Sequence, residues 1–469
     1  MLTKEQVEQI VQLTIAQLSR DGPETSGGTE SGGWLFDRAE DAVEAAVRAQ
    51  KQLLAMTLEQ REKLIRCMRA AARENARKLA EMAHEETKYG HVEDKVLKNL
   101  LVANKTPGTE DIVPRVFTGD YGMTLVEQAP FGVIGSITPS TNPTGTVINN
   151  SISMIAAGNA VVFNPHPAAK RCSQETMRVL NEAIVSAGGP AGLICTVREP
   201  TLESGRVIMN HPKIKLLSVT GGEGVVSVAM RTGKKCIAAG PGNPPVVVDE
   251  TAQIPKAAKD IVDGASFDNN VLCVAEKECF VVSPVMDQLV TLMQQNGAYL
   301  IRGEDIDRIA RTVLTQKDGK YAINRSFVGR DATYIMEKSG VSYTGSPRLV
   351  IAEVDRDHPF VLTEMLMPVL AMVRVRDVGE AIEEAVVAEQ GRWHSAIMHS
   401  TNVKNMTKAA KALNTTIFVK NAPSYTGVGV NGEGYATLTI ATPTGEGLTS
   451  ARSFTRARRC VLYDDFRII

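Results

Sequence analysis

The stretch Ser266-Phe267-Asp268-Asn269-Asn270-Val271-Leu272-Cys273-Val274-Ala275-Glu276-Lys277 decides how this chain is read. A polar Asp-Asn-Asn run precedes a single cysteine, and a β-branched and aromatic run, Cys279-Phe280-Val281-Val282, follows it. A cysteine at such a junction is either a small buried hydrophobe or a nucleophile. Which of the two holds depends on what the rest of the chain supplies.

Working outward, strands and helices alternate. Upstream, Phe131-Gly132-Val133-Ile134-Gly135-Ser136-Ile137 reads as a buried strand, residues 144–157 as a helix, and Ala160-Val161-Val162-Phe163 as the next strand. A helix over about residues 168–187 follows. The apolar runs at 193–197, 216–219 and 246–248 continue the series. This is the βαβ pattern of a parallel, doubly wound sheet. A second α/β series runs from about 254 to 418, with strands expected at 279–282, 348–354, 369–375, 395–399 and 415–420. Residues 34–104 are rich in Ala, Glu, Arg and Lys and fit two or three amphipathic helices. Residues 303–346 show little period.

The chain has 469 residues, enough for two or three domains. Its apolar fraction of 43% and charged fraction of 22% are those of a soluble globular enzyme. A net charge of −1 argues against an extended nucleic-acid surface. Seven cysteines are scattered with no CxxC or Cys/His cluster, which points to a reducing, cytosolic compartment without a disulfide framework or a metal site. No apolar run reaches the roughly 18 residues of a membrane span, and no secretory signal opens the chain.

Residues 1–20 stand apart. Val7, Ile10, Val11, Ile15 and Leu18 follow helical spacing, and residues 21–33 form a Gly/Ser-rich linker by composition. A helix this short is marginal alone in water, so its apolar stripe needs a partner. It can fold back on its own domain, or dock on another protein, which is the preferred reading. A membrane-surface role fits less well, because the polar face is not rich in Lys and Arg.

Two glycine-rich loops bear on ligands. Thr220-Gly221-Gly222-Glu223-Gly224 follows an expected strand and opens an expected helix, where backbone N–H groups can meet a phosphate. A tight βα turn explains it equally well. Ala238-Ala239-Gly240-Pro241-Gly242-Asn243-Pro244-Pro245 is a second loop of close backbone approach.

Taken together, these segments resemble the aldehyde dehydrogenase superfamily, and in particular its CoA-acylating branch found with bacterial microcompartments. Thr138-Pro139-Ser140-Thr141-Asn142-Pro143 stands where the superfamily has TPWNFP. The run Gly158-Asn159-Ala160-Val161-Val162-Phe163-Asn164-Pro165-His166-Pro167 stands at the strand bordering the adenosine ribose. Thr220-Gly221-Gly222 stands at the pyrophosphate helix, and Thr363-Glu364-Met365-Leu366-Met367-Pro368-Val369 resembles EIFGPV, whose glutamate binds the nicotinamide ribose. Cys273 falls at the catalytic cysteine. The resemblance runs from about residue 34 to the C-terminus, and residues 1–20 resemble that branch's targeting peptide.

Two departures carry meaning. Hydrolytic members have a glutamate in an ELGGK segment that activates the deacylating water; here Ala238 occupies that position and cannot act as a base. The ribose-binding lysine is replaced by Asn164, with His166 two residues on as a candidate ribose or phosphate contact. The resemblance then implies NAD-dependent oxidation of a short-chain aldehyde to its acyl-CoA through a cysteine thioester, and the reverse reduction. Propionaldehyde is preferred over acetaldehyde, and CoA shares the nucleotide pocket. The implied site comprises Cys273, with Asn142 or Thr141 at the oxyanion. Thr138, Pro139, Asn164, Pro165, His166, Thr220, Gly221, Gly222, Gly240 and Glu364 serve the nucleotide. The alternatives are a hydrolytic enzyme giving the free acid and a non-catalytic shell-associated module.

The implied fold is α/β: a Rossmann-like nucleotide-binding domain (34–117 and 129–250), an α/β catalytic domain (251–435) and a β oligomerisation arm (118–128 and 436–469). The implied setting is the lumen of a cytoplasmic microcompartment, with shell or cargo proteins met through residues 1–20 and a dimer or tetramer as the assembly. Cys67, Cys172, Cys195, Cys236, Cys279 and Cys460 are expected to pack in the interior, and Glu276 with Lys277 to form a surface ion pair.

Overall fold

The computed structural model describes residues 33–317 and 319–469. The expected helix and linker of residues 1–32 lie outside the described residues. The first half of the chain carries β1 (Leu35–Phe36), β2 (Arg115–Gly119), β3 (Gly122–Pro130), β4 (Val133–Thr138), β5 (Ala160–Pro165), β6 (Ile194–Val197), β7 (Ile214–Thr220) and β8 (Lys235–Ala239). Then come β9 (Pro245–Val248), β10 (Glu278–Val282), β11 (Ala298–Ile301), the hairpin β12 (Leu314–Lys317) and β13 (Lys320–Ile323), β14 (Leu349–Glu353), β15 (Val369–Val375), β16 (Ser395–His399) and β17 (Ile417–Lys420). The chain closes with β18 (Ile440–Ala441), β19 (Gly447–Leu448) and β20 (Thr455–Tyr463).

Strands β5, β6, β9 and β10 are buried at every position, the pattern of parallel strands covered on both faces. They belong to two parallel sheets. The first runs β1-β6-β5-β4-β7-β8. The second runs β11-β14-β15-β10-β9-β16-β17. In the first sheet the order reverses at β4, flanked by β5 and β7. A crevice opens at the C-terminal ends of strands at such a reversal. Thr138 ends β4 and Thr220 ends β7, so the segments 138–143 and 220–224 leave adjacent strands on that side.

Some boundaries differ from the sequence reading. The strand Pro245–Val248, read with the first unit, is hydrogen-bonded between β10 and β16 in the second sheet. Residues 240–244 therefore carry the chain from one sheet to the other. The antiparallel arm β2-β3-β20 begins at Arg115 and pairs β3 with β20 from Thr455↔Pro130 to Tyr463↔Gly122. Residues 440–448 form the short pair β18–β19 beside β8 rather than joining that arm. The patternless region holds the helix Glu304–Val313, the β12–β13 hairpin and the helix Ala332–Lys338.

Candidate active site

Cys273 lies between the helix Ile254–Ser266 and β10. After the helix, Asp268, Asn269 and Asn270 take φ of 47°, 51° and 64°. A left-handed backbone costs most L-residues about 1–2 kcal/mol each, and Asn and Asp tolerate it best. That is the physical reason for the Asp-Asn-Asn run. Each side chain is also tied down. Asp268 accepts from the His91 N–H at 2.8 Å, from Lys95 Nζ at 3.0 Å and from Lys98 Nζ. Asn269 donates to the Gly329 carbonyl at 3.0 Å and to Asp331 at 2.7 Å, and Asn270 to the carbonyls of Ala265 and Glu276. Gly90 closes over Asp268 so tightly that a Cβ there would lie 1.8 Å from Oδ1.

The loop delivers Cys273 partly exposed, while Val271, Leu272, Val274 and Ala275 beside it are buried. Glu276 and Lys277 are also fully buried, which corrects the expected surface ion pair. Lys277 donates to the Asn270 carbonyl at 3.0 Å, to the Leu272 carbonyl at 3.1 Å and to Asn270 Oδ1. Its ammonium is the inner support of the loop that carries Cys273. Glu276 accepts from Ser424 N–H and Oγ–H at 2.8 and 2.6 Å, and burial pushes its carboxyl up to about 7.

Burial pushes the Cys273 thiol up to about 12. The nearby Glu364 carboxylate adds to this, while Lys277, the cysteine's own N–H and Lys98 pull the other way. Glu364 accepts from the Gly242 N–H at 3.2 Å. A Cβ on Gly242 would lie 2.6 Å from the Cys273 carbonyl oxygen and 2.9 Å from the His394 ring. Only glycine lets these three groups converge. His394 is buried, with Nδ1 against Ser395 Oγ at 2.8 Å and Nε2 without a hydrogen-bond partner among the described residues. Burial, helped by Lys277 and Arg392, pushes it down to about 3, so its imidazole is neutral.

Asn142 caps the helix Pro143–Ala156, and its Oδ1 accepts from the buried Lys98 at 2.5 Å. Thr141 and Asn142 are both half-buried. Ala238 is fully buried at the end of β8, its N–H donating to Thr444 Oγ1 at 3.0 Å.

The nucleotide residues divide. Gly222 caps the helix Glu223–Met230, Cβ atoms on Gly222 and Gly224 would meet open space, and Thr220 Oγ1 is buried without a partner among the described residues. A cleft of ≈ 380 Å³ lies beside this helix, lined by Glu223, Ser227, Arg231, Gly240 and Pro241 among others. Open glycine amides at a helix start and an orphaned hydroxyl fit a dinucleotide pyrophosphate. Thr138 is buried and its carbonyl accepts the His166 N–H at 3.0 Å; Pro139 is half-buried after it. Asn164, by contrast, is committed inside the fold, donating to the Thr201 carbonyl at 3.2 Å and accepting from Ser204 Oγ at 2.6 Å. The exposed His166 follows Pro165; its Nδ1 accepts from the Ala168 N–H, so in the neutral ring Nε2 carries the proton.

Cys172, Cys195, Cys236 and Cys279 are buried and Cys67 is partly so, but Cys460 is exposed on β20, against expectation. Among the described residues, no group of three His, Cys, Asp or Glu could hold a metal ion. No described helix is long and apolar enough to cross a membrane. Sequence reasoning missed Lys95, Lys98 and His394. The two lysines sit in a helix whose composition reads as a solvated face. Only the tertiary contact with Asp268 shows their burial. His394 had a faint signal, a lone histidine opening an apolar strand.

Two parallel sheets, a nucleotide crevice at the first and a cysteine loop leading into the second define the class. The aldehyde dehydrogenase family model matches residues 36–435, and the chain belongs to that family. It is 50% identical, over 99% of both chains, to an acetaldehyde dehydrogenase (acetylating) of Bilophila wadsworthia. It resembles the Rhodopseudomonas palustris propionaldehyde dehydrogenase solved with bound CoA and an acylated cysteine (47% identity, TM-score 0.90, covering 93% of this chain and 99% of that one). It also resembles the propionaldehyde dehydrogenase of the Clostridium phytofermentans fucose utilisation bacterial microcompartment (48% identity, TM-score 0.91, covering 94% and 100%).

Proposed function

We propose that the chain oxidises propionaldehyde or acetaldehyde to the corresponding acyl-CoA, and catalyses the reverse reduction, with NAD as cofactor and CoA as co-substrate. The observation that carries this reading is Ala238. The position where a hydrolytic member carries its base is a buried alanine in a strand. Glu364 accepts from the Gly242 N–H near Cys273, a position that suits a ribose-binding glutamate.

Cys273, as thiolate, attacks the aldehyde carbonyl and forms a thiohemiacetal. Its N–H and the Asn142 amide are the donors for the oxyanion. Thr141 is the weaker candidate, because Asn142 is the residue anchored by the buried lysine. Thr220, Gly221, Gly222, Gly240 and Glu364, with Thr138, Pro139, Pro165 and His166 beside them, would hold the nucleotide, which when bound would supply the hydride acceptor. As the oxyanion collapses, the carbonyl re-forms as a thioester on Cys273 and the hydride leaves. With no base at 238 to activate water, the thioester persists until a CoA thiolate attacks it, and Cys273 leaves as thiolate.

Exposed Val116, Phe117, Val461, Leu462 and Tyr463 on the arm fit a homo-oligomer. Residues 1–20 are proposed to direct the enzyme to a microcompartment shell; deleting them should spare turnover and abolish co-assembly with shell proteins. NADH formation measured with and without CoA, on wild type and on Cys273→Ala, tests the activity. Sustained turnover only with CoA and none in the variant is expected. Sustained turnover without CoA would sink the reading in favour of hydrolysis.

A further inference from the structure

Lys98 belongs to none of the motifs, yet it joins two of them. It stands on the helix Val92–Lys105 and is buried. Its ammonium donates to Asp268, at the base of the nucleophile loop, and to Asn142 Oδ1, on the loop after β4. Lys95 reaches the same Asp268 carboxylate, so the anchor is held from two sides.

An ammonium has donors and no acceptor. The Asn142 atom facing Lys98 is therefore the amide oxygen, however the side chain is drawn. Nδ2 is then directed away from Lys98. Among the described residues it has no hydrogen-bond partner, and it is not sealed from solvent. A half-buried amide with its oxygen clamped and its nitrogen unused is oriented to donate. Without the clamp, rotation about the last side-chain bond would present oxygen, which repels an oxyanion, as readily as nitrogen.

We propose that Lys98 is a positioning residue: it clamps the Asn142 amide by its oxygen so that Nδ2 is presented to the oxyanion formed on Cys273. This rests on the reading of Asn142 as an oxyanion donor given above. Because Asp268 opens the loop that carries Cys273, the same ammonium sets the donor and the nucleophile in one frame. Lys98 also lies close enough to pull the Cys273 thiol down.

The test is a double-mutant cycle on the full chain, read as the single-turnover rate of NADH formation. Asn142→Ala should lower that rate about 10²–10³-fold, the usual loss for one oxyanion donor. Lys98→Met should lower it about tenfold or more, a cost within that of a small misplacement, with nucleotide KM within about twofold of wild type. In the Asn142→Ala background, adding Lys98→Met should cost clearly less than the same change costs in the wild type, because only its contacts with Asp268 and Cys273 then remain to be lost. A near-wild-type rate for Lys98→Met, or losses that multiply in the double variant, would overturn the proposal while leaving Asn142 in its role. Full activity of Asn142→Ala would instead remove the underlying reading. Lys98→Arg keeps the charge against Asp268 and guards against misfolding of the Met variant. It should retain more activity than Lys98→Met, and a folded Lys98→Arg no better than Lys98→Met would count against the clamp.

Discussion

Lys277→Met is the most informative single perturbation of the nucleophile loop. Methionine fills similar volume without donors, so the carbonyls of Asn270 and Leu272 and the Asn270 amide oxygen lose their shared ammonium. A buried acceptor left unsatisfied costs about 1–3 kcal/mol. Removing a buried charge returns part of that, so a net loss of about 3 kcal/mol is expected. The three left-handed residues upstream favour relaxation by less than the ~1–2 kcal/mol per residue of other side chains, since Asp and Asn tolerate that region best. With its inner support gone, the loop should shift, and a displacement of about 1 Å at Cys273 costs up to about 10² in rate. The assay pairs denaturant unfolding with the pre-steady-state burst of NADH. Both a lowered midpoint and a burst slowed about 10²-fold are predicted. A variant with an unchanged burst would refute the assignment of Lys277 as the loop's support.

Three further outcomes follow from the same geometry. Gly242→Ala places a methyl 2.6 Å from the Cys273 carbonyl and 2.9 Å from His394; it should cost about 1–3 kcal/mol by overpacking and lower kcat, and an unchanged kcat would contradict the close approach. Glu276 is raised from 4.5 to about 7 in the fold, so the native state holds a proton that the unfolded chain has released. Its contribution is therefore lost as pH rises from about 4.5 to about 7, at most about 3 kcal/mol. Glu276→Gln should flatten the fall of unfolding free energy between pH 5 and 8, and an identical slope in both proteins would argue against that burial. The Cys273 thiol, pushed up to about 12, should be alkylated by iodoacetamide about tenfold faster per pH unit from about pH 7 to 9 in the nucleotide-free enzyme; a plateau near pH 8 would show a thiolate already formed.

Much of the fold was legible because buried parallel strands are continuous apolar runs, as in Ala160-Val161-Val162-Phe163 and Cys279-Phe280-Val281-Val282. The strand Pro245–Val248 was legible as a strand but not as a member of the second sheet, since hydrogen-bond partners across 30 or more residues leave no local trace. Cys273 was singled out by the family motifs around it, since its own segment reads equally well as packing; the Asp-Asn-Asn run before it suits the left-handed backbone found there. The supporting cations were not legible. Lys98 and Lys277 are charged residues in charged surroundings, and nothing in periodicity distinguishes a lysine aimed at a buried carboxylate or carbonyl from one in water. Asn164, placed by its motif beside a ribose, bonds Thr201 and Ser204 within the fold, contacts that no local pattern announces.

The fate of the acyl group on Cys273 separates transfer to CoA from hydrolysis most directly. Intact-protein mass spectrometry after mixing enzyme, nucleotide and propionaldehyde without CoA measures it. The prediction is one propionyl group per chain, lost from the protein as propionyl-CoA when CoA is added. Release of free propionate over many turnovers, with no acyl group left on the chain, would contradict it.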